Sequence, residues 1–152
     1  MPSVRPETLR ARRNTPFVHV FTVTDADGEP MDLTGHTAGM QVRLYGMQPG
    51  EPLLNLETVT TEQTDGLLIS GSTVTAYVNR IDLAFMPSGN VEGRDDSFVY
   101  DLILTDPTGY SWIERWGPFE VTEGVTADAE IFLTAIDGRL LTTTVGAYLE
   151  TA

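Results

Sequence analysis

The residues able to do acid–base or metal chemistry are few and scattered along the chain. There are two histidines, His19 and His36, and no cysteine. A metal site needs several ligands at matched spacing, and no His-x-x-x-His pair is present. No Gly-x-Ser-x-Gly segment presents a serine for a Ser-His-Asp triad. We therefore predict neither a metal site nor a nucleophilic centre, and we interpret His19 as a strand residue satisfied by a neighbour.

Carboxylates offer a second route to chemistry. Glu57, Asp101 and Glu114 fall on predicted strands, and a pair of carboxylates is the machinery of most glycoside hydrolases. Nothing in the sequence sets any pair at catalytic separation. The segment Asp25-Ala26-Asp27-Gly28 suggests a calcium site, but it lacks EF-hand spacing and suits a hairpin turn. The glycines form no phosphate-binding motif. We expect a protein that is not an enzyme and that carries no cofactor and no metal.

Aromatic residues crowd the stretch 110–119. Tyr110, Trp112 and Trp116 have the same parity, so they would share one face of an unbroken strand. Two interpretations stay open at this point. The aromatics pack in the core, where their large area is buried, or they form an exposed contact patch for a sugar or another subunit.

The basic charge is unevenly placed. The formal net charge is −13, and all nine basic residues are arginine. Arg5, Arg10, Arg12 and Arg13 against Glu7 give the first 13 residues a charge of +3, which leaves −16 on the remainder. Because this acidic remainder would repel the phosphates of a nucleic acid, no nucleic-acid partner is expected. The basic arm either docks on an acidic surface, such as a neighbouring copy, or is a solvated terminus.

The elements that must position these residues are predicted to be strands. Runs rich in β-branched and aromatic residues alternate with turn signals every 8–12 residues or so, which is typical of an all-β sandwich. The predicted strands cover residues 17–24, 40–45, 53–59, 67–70, 73–78, 98–105 and 112–121. Asn79 is expected to cap one short helical turn that Pro87 ends. The apolar stretches fall short of the ~20 residues of a membrane helix, and no signal peptide is recognisable, so no membrane association is expected.

The chain divides into three predicted parts. These are an N-terminal basic arm at 1–15, a β-sandwich domain at 16–126 and a C-terminal extension at 127–152. In the extension, Asp137-Gly138 separates two β-rich runs, which predicts a β-hairpin. A lone hairpin is marginal in water, so it is expected to pack on the body or on another subunit. Deleting the arm or the extension is expected to abolish assembly and to leave the sandwich folded.

Two segments, in a fixed order, carry a likeness to known proteins. Met31-Asp32-Leu33-Thr34-Gly35 precedes a strand containing Met40-Gln41-Val42-Arg43. Further on, Tyr100-Asp101-Leu102-Ile103-Leu104-Thr105-Asp106-Pro107-Thr108-Gly109 leads from a strand into a turn. Together they resemble a family of phage virion proteins that includes the N-terminal domain of phage baseplate upper proteins. The resemblance covers residues 16–126.

The resemblance implies an Ig-like β-sandwich with a scaffold role and no catalytic site. It implies a structural component of a bacteriophage virion, tail- or baseplate-associated, that anchors or adapts a fibre and contacts other virion proteins and copies of itself. The alternatives are a capsid decoration (cement) protein and a carbohydrate-binding module that uses Trp112 and Trp116. Arms and terminal hairpins of similar virion proteins commonly grip neighbours, so the arm arginines Arg5, Arg10, Arg12 and Arg13 are the candidate partner-binding residues.

Overall fold

A computed structural model describes residues 5–62, 65–89 and 94–125. Within these residues nine strands and one short helix form, and the prediction of an all-β protein is confirmed. In chain order the elements are β1 (Arg5–Pro6), β2 (Leu9–Arg12), β3 (Phe17–Thr22), β4 (Thr37–Arg43), β5 (Leu54–Val59), β6 (Gly66–Ser70), β7 (Thr73–Val78), α1 (Arg80–Ala84), β8 (Asp96–Thr105) and β9 (Ser111–Thr122). The predicted C-terminal hairpin at 131–145 lies outside the described residues.

Alternation of apolar and polar residues explains most of these strands. In β8 every second residue from Phe98 to Leu104 is buried, and the residues between them face away from the core. Strands β4 and β7 follow the same rule. The helical turn also forms as predicted, because Asn79 Oδ1 accepts a hydrogen bond from Asp82 N at 2.9 Å and so caps α1.

The strands form one curled, mixed sheet. Their order is β1-β9-β8-β4-β5-β6-β7-β3, and β2 also pairs with β9. Strands β1 and β2 run parallel to β9, and β5 runs parallel to β6, while the other neighbours are antiparallel. The two ends of the sheet approach each other around one core, where Phe17 of β3 meets Phe119 of β9 edge to face at 5.3 Å between ring centroids.

Side chains bridge the seam between the two ends of the sheet, that is, between β3 on one side and β9 with the β1–β2 segment on the other. Arg115 Nη2 of β9 donates to the carbonyl oxygen of Thr22 in β3 at 2.8 Å. His19 Nε2 of β3 lies 3.2 Å from an oxygen of Glu7, between β1 and β2. Among the described strands, β3 has a backbone ladder with β7 alone. The sheet is therefore closed by side chains at this seam.

The predicted basic arm is part of the sheet over residues 5–12. Leu9 and Ala11 alternate with Arg10 and Arg12 in β2, and both apolar side chains are buried in the core. Deleting residues 1–15 would remove two strands and two core side chains. The expectation that the body stays folded without the arm is therefore revised, and the division of the chain at residue 16 stays a prediction.

Candidate functional site

One face of the sheet presents an aromatic and a row of polar side chains away from the core. Register places Asp101 of β8 opposite Trp116 of β9 and Gln41 of β4. Gln41 in turn stands opposite Asn55 of β5. The side chains on either side of this polar row are largely apolar and include Val99, Ile103 and Ile113. We define the outer face by the residues Gln41, Arg43, Asn55, Val99, Asp101, Ile103, Ile113 and Trp116.

The outer face forms the floor of an open groove of about 1100 Å³. Its apolar side chains remain between a third and a half exposed: Val99 38%, Ile103 37%, Ile113 42% and Trp116 47%. Tyr45 and Met47, in the loop after β4, also line the groove and are exposed. Several exposed apolar side chains gathered on one face are typical of an interaction site, whereas single exposed apolar residues are ordinary.

Asp101 places a negative charge in the floor of this groove, and the positive charge of Arg43 compensates it only in part. Its carboxylate makes no hydrogen bond or ion pair with any described residue. Burial raises the pKa of Asp101 above 3.8, and the positive charge of Arg43 acts in the opposite direction. Arg43 directs its donors elsewhere: Nη1 donates to the carbonyls of Gln48 and Gly50 at 2.7 and 2.8 Å, and Nε and Nη2 donate to Gln41 Oε1.

A β-bulge in β9 decides which residues of that strand reach the outer face. Leu102 of β8 pairs with Arg115, but the next residue, Ile103, pairs with Ile113, so Glu114 is the extra residue. Glu114 and Arg115 are consecutive, and both are buried. The bulge therefore reverses the parity of every residue that follows it in β9.

The prediction that Tyr110, Trp112 and Trp116 share one face is wrong, because it required an unbroken strand. Trp112 packs against the core, and its Nε1 donates to Glu114 Oε2 at 2.9 Å. Tyr110 stacks on Trp112 with 6.2 Å between ring centroids. Trp116 lies on the opposite side, on the outer face. Each interpretation of the aromatics therefore holds for one tryptophan: Trp112 packs against the core, and Trp116 is exposed and available for contact.

Glu114 and Arg115 form a buried ion pair on the inner side of the bulge. Their exposures are 2% and 6%, and Arg115 Nη1 donates to Glu114 Oε1. Arg115 Nε lies 3.3 Å from Glu7 Oε2, while Nη2 reaches Thr22 across the seam. Because each charge has an opposite partner, the burial of both is compensated.

The carboxylates considered for catalysis lie in two separate places. Glu57 and Asp101 line the outer groove, and Glu114 is buried behind the bulge. The carboxylate of Asp25 accepts hydrogen bonds from two backbone amides of its own turn, so the turn interpretation of that segment is confirmed. The sequence alone could not show that Asp101 lies on the outer face and Glu114 on the buried side. Both residues fall on strands, and the bulge in β9 turns Glu114 towards the core.

The two histidines have different surroundings. His19 contacts Glu7 at the seam, whereas His36 Nδ1 lies 3.3 Å from the carbonyl oxygen of Thr34, and its ring meets Trp112 edge to face. Within residues 5–62, 65–89 and 94–125, no three His, Asp or Glu side chains form a group that could hold a metal ion.

Three of the four arm arginines are exposed. Arg10 Nε lies 3.2 Å from Glu120 Oε2 of the neighbouring β9, and Arg5 Nη2 donates to Thr24 Oγ1 at 3.1 Å. Arg12 is an exposed residue of β2. These side chains are spread along the edge of the sheet, and their role in binding a partner stays a prediction.

Arg13 is largely buried and serves the chain's own fold. It donates to the carbonyls of Leu83, Met86 and Pro87 at 3.1, 2.6 and 2.9 Å. Its Nη2 also pairs with Asp96 Oδ2 at 2.7 Å. Arg13 therefore fastens the end of α1 to the beginning of β8. Sequence reasoning missed this role, because the carbonyl groups of an irregular segment leave no signal in the residue types.

Two Asp-x-Thr-Gly turns lie side by side at one end of the sheet, over residues 32–35 and 106–109. In each turn the aspartate Oδ1 accepts hydrogen bonds from the backbone amide and the hydroxyl of the threonine. These bonds lower the pKa of Asp32 and Asp106 below 3.8. The glycines have φ of +77° and +93°. The Asp-x-Thr-Gly pattern is the sequence signal for this turn geometry. Neither segment alone predicts that the two turns contact each other.

No family model matches the chain, and no curated protein matches it. No helix of the described ranges is long and apolar enough to span a membrane. The geometry of the outer face and of the paired turns is therefore the basis on which function is inferred.

Proposed function

We propose that this protein is a non-enzymatic structural component of a bacteriophage virion, a tail- or baseplate-associated subunit that anchors or adapts a fibre. Its partners are other virion proteins and copies of itself, and its location is the virion. The observation that carries the proposal is the exposed apolar groove on the outer face. Protein interfaces are enriched in aromatic residues, methionine and arginine, and the groove contains Trp116, Tyr45, Met47 and Arg43.

The residues that carry the resemblance to virion proteins support the same proposal. Asp32, Thr34 and Gly35 form one of the paired turns, and Asp106 and Thr108 belong to the other. Their hydrogen bonds are internal to the turns, so these residues maintain the framework. A framework of this kind with an exposed apolar face fits a scaffold subunit better than it fits an enzyme.

We also propose that the curled sheet is a variant of the Ig-like β-sandwich. Strands β9, β8, β4 and β5 form one side, and β6, β7 and β3 form the other, around one core. The parallel pairing of β5 with β6 joins the two sides. In a sandwich the two sides are separate sheets, so this junction is where the chain departs from the expected architecture.

The test is the composition of purified particles of the phage whose genome encodes this chain. We expect its peptides in gradient-purified virions at a fixed ratio to tail proteins, with an antibody label on the tail. A label on the head would replace the fibre-anchoring role with capsid decoration. Absence from purified particles would overturn the virion proposal.

A glycan array distinguishes the carbohydrate-binding alternative. We expect no glycan binding above the level of a Trp116→Ala variant. Glycan binding that is lost in Trp116→Ala and kept in Ile113→Ala would favour a sugar-binding module. Trp112 is unsuited to this comparison, because it packs against the core and its loss would disturb the fold.

A further inference from the structure

We infer that the outer face receives a basic side chain of a protein partner, held between the carboxylate of Asp101 and the ring of Trp116. The inference specifies the chemistry by which a partner is recognised. It holds for any protein partner and does not depend on the virion proposal.

The first support is the charge of Asp101. A partly buried carboxylate is costly unless it is paired or hydrogen-bonded, and Asp101 has neither kind of partner among the described residues. Arg43 donates to Gln41, Gln48 and Gly50. Burial raises the pKa of Asp101 despite the opposing charge of Arg43, which agrees with a charge that the folded chain compensates only in part. A cation from a partner would supply the missing compensation.

The second support is the position of Trp116. It stands directly opposite Asp101 on the neighbouring strand, and side chains so paired have Cβ atoms about 4.5–5.5 Å apart. Tryptophan is the best aromatic partner for a cation, which binds over the ring within about 6 Å of its centre. A guanidinium or ammonium group over the Trp116 ring would therefore lie within reach of the carboxylate. Arginine suits the place best, because its planar group both stacks on a ring and forms paired hydrogen bonds with a carboxylate.

The third support is the aliphatic surround, which favours a protein over a sugar. Val99 and Ile103 flank Asp101 on its own strand, and Ile113 lies beside them on β9. Aliphatic side chains offer little to sugar hydroxyls, whereas they pack against apolar side chains and exclude water from a central ion pair. The partner segment thus carries a basic residue flanked by apolar ones.

The experiment is a selection from a displayed library of random nonapeptides, with the full chain as bait. We expect recovered peptides to contain arginine or lysine next to apolar residues. Their affinity should fall by about tenfold or more for Asp101→Asn and for Trp116→Ala, since each removes one side of the cation site. Asp101→Asn keeps the side-chain volume and breaks no hydrogen bond, so it is expected to fold.

The matched control is Glu29→Gln, which makes the same change of charge at an exposed residue before β4. Peptides that bind this variant as they bind the unchanged chain support a local site. Equal losses in Glu29→Gln and Asp101→Asn would show general charge attraction and overturn the inference. Recovered peptides without basic residues, or sugar binding that requires Trp116, would overturn it as well. The virion test measures presence in particles, so its failure and the failure of this selection are distinguishable.

Discussion

Gly35 lies against the ring of Pro107, and this contact joins the two Asp-x-Thr-Gly turns. A Cβ added at position 35 would lie 3.0 Å from Pro107 Cγ, and the backbone there has φ of +77°. Position 35 therefore requires glycine for two independent reasons, its conformation and its neighbour. The two segments that resemble virion proteins are thus joined at their turns as well as along the ladder between β4 and β8.

Gly35→Ala is expected to lower the free energy of unfolding by about 2 kcal/mol or more. The left-handed conformation costs a residue with a Cβ roughly 1–2 kcal/mol, and the displacement of Pro107 adds to it. Gly28→Ala is the matched control, because Gly28 has φ of +86° and no atom within 4 Å of the added Cβ. Urea denaturation of both variants measures the difference. Equal losses would show that the contact with Pro107 contributes nothing.

Asp101→Asn is expected to raise the stability of the protein at neutral pH. Burial raises the pKa of Asp101 in the folded state, so ionisation costs more free energy there than in the unfolded chain. The contribution of Asp101 to stability should therefore decline as the pH rises from 3.8 through the raised folded pKa. The variant should lack this part of the decline. Denaturant unfolding across that pH range measures it, and a less stable variant at neutral pH would contradict the prediction.

Asp106→Ala is expected to lower the stability of the protein at neutral pH, which is the opposite of the effect expected for Asp101→Asn. Hydrogen bonds, first of all from the Thr108 hydroxyl, lower the pKa of Asp106, so its ionised form stabilises the folded state. That stabilisation is present above 3.8 and is lost as the pH falls through the lowered folded pKa. The variant should be less stable than the unchanged protein at neutral pH, and the gap should narrow in acid. A gap that widens in acid would refute the assignment.

Leu9→Ala tests whether the β2 strand belongs to the core. Leu9 is 1% exposed, and truncation of a buried leucine costs about 2–5 kcal/mol. Arg12→Ala on the same strand is exposed and should change the free energy of unfolding by less than about 0.5 kcal/mol. Chemical denaturation separates the two. A Leu9→Ala variant as stable as Arg12→Ala would mean that residues 9–12 do not pack as described.

The buried pair of Glu114 and Arg115 is expected to show strong coupling in a double-mutant cycle. Glu114→Met should cost about 3–5 kcal/mol, because it leaves the buried guanidinium with Glu7 as its remaining carboxylate partner. Arg115→Met should be costly for the converse reason. The double variant Glu114→Met with Arg115→Met should lose clearly less than the sum of the single losses. Additive losses would rule out an energetic link between the two side chains.

Local patterns were sufficient for most of the strands and for the helix cap. The alternation in residues 98–105 predicts β8 because one side faces the core and the other faces water. Gly71, with φ of +59°, sits in the predicted hairpin turn between β6 and β7. Asn79 caps α1 because its side-chain oxygen reaches the amide three residues on. In each case the residues that decide the structure are neighbours in the chain.

The outer face was not predictable in the same way. It depends on the bulge at Glu114 and Arg115, two charged residues that would ordinarily be assigned to the surface. They are buried because they neutralise each other, and because Arg115 also contacts Glu7 and Thr22, which lie far away in the sequence. The pairing of β2 with β9 was missed for a similar reason. The four residues of β2 include two arginines, so the sequence alone indicates a strand only weakly. They form a strand because they pair with the edge of β9.

The pairing of β2 with β9 also affects the order in which the strands fold. Arg10 and Glu120 are paired across 110 positions of the chain. A ribosome adds roughly 5–20 residues per second, so Leu9 and Ala11 are made several seconds before the strand that covers them. Contacts between such distant segments also form slowly. Strands β1 and β2 are thus made before the other described strands and are among the last to reach their place in the sheet, so resistance to proteolysis near residues 5–12 should mark the end of folding.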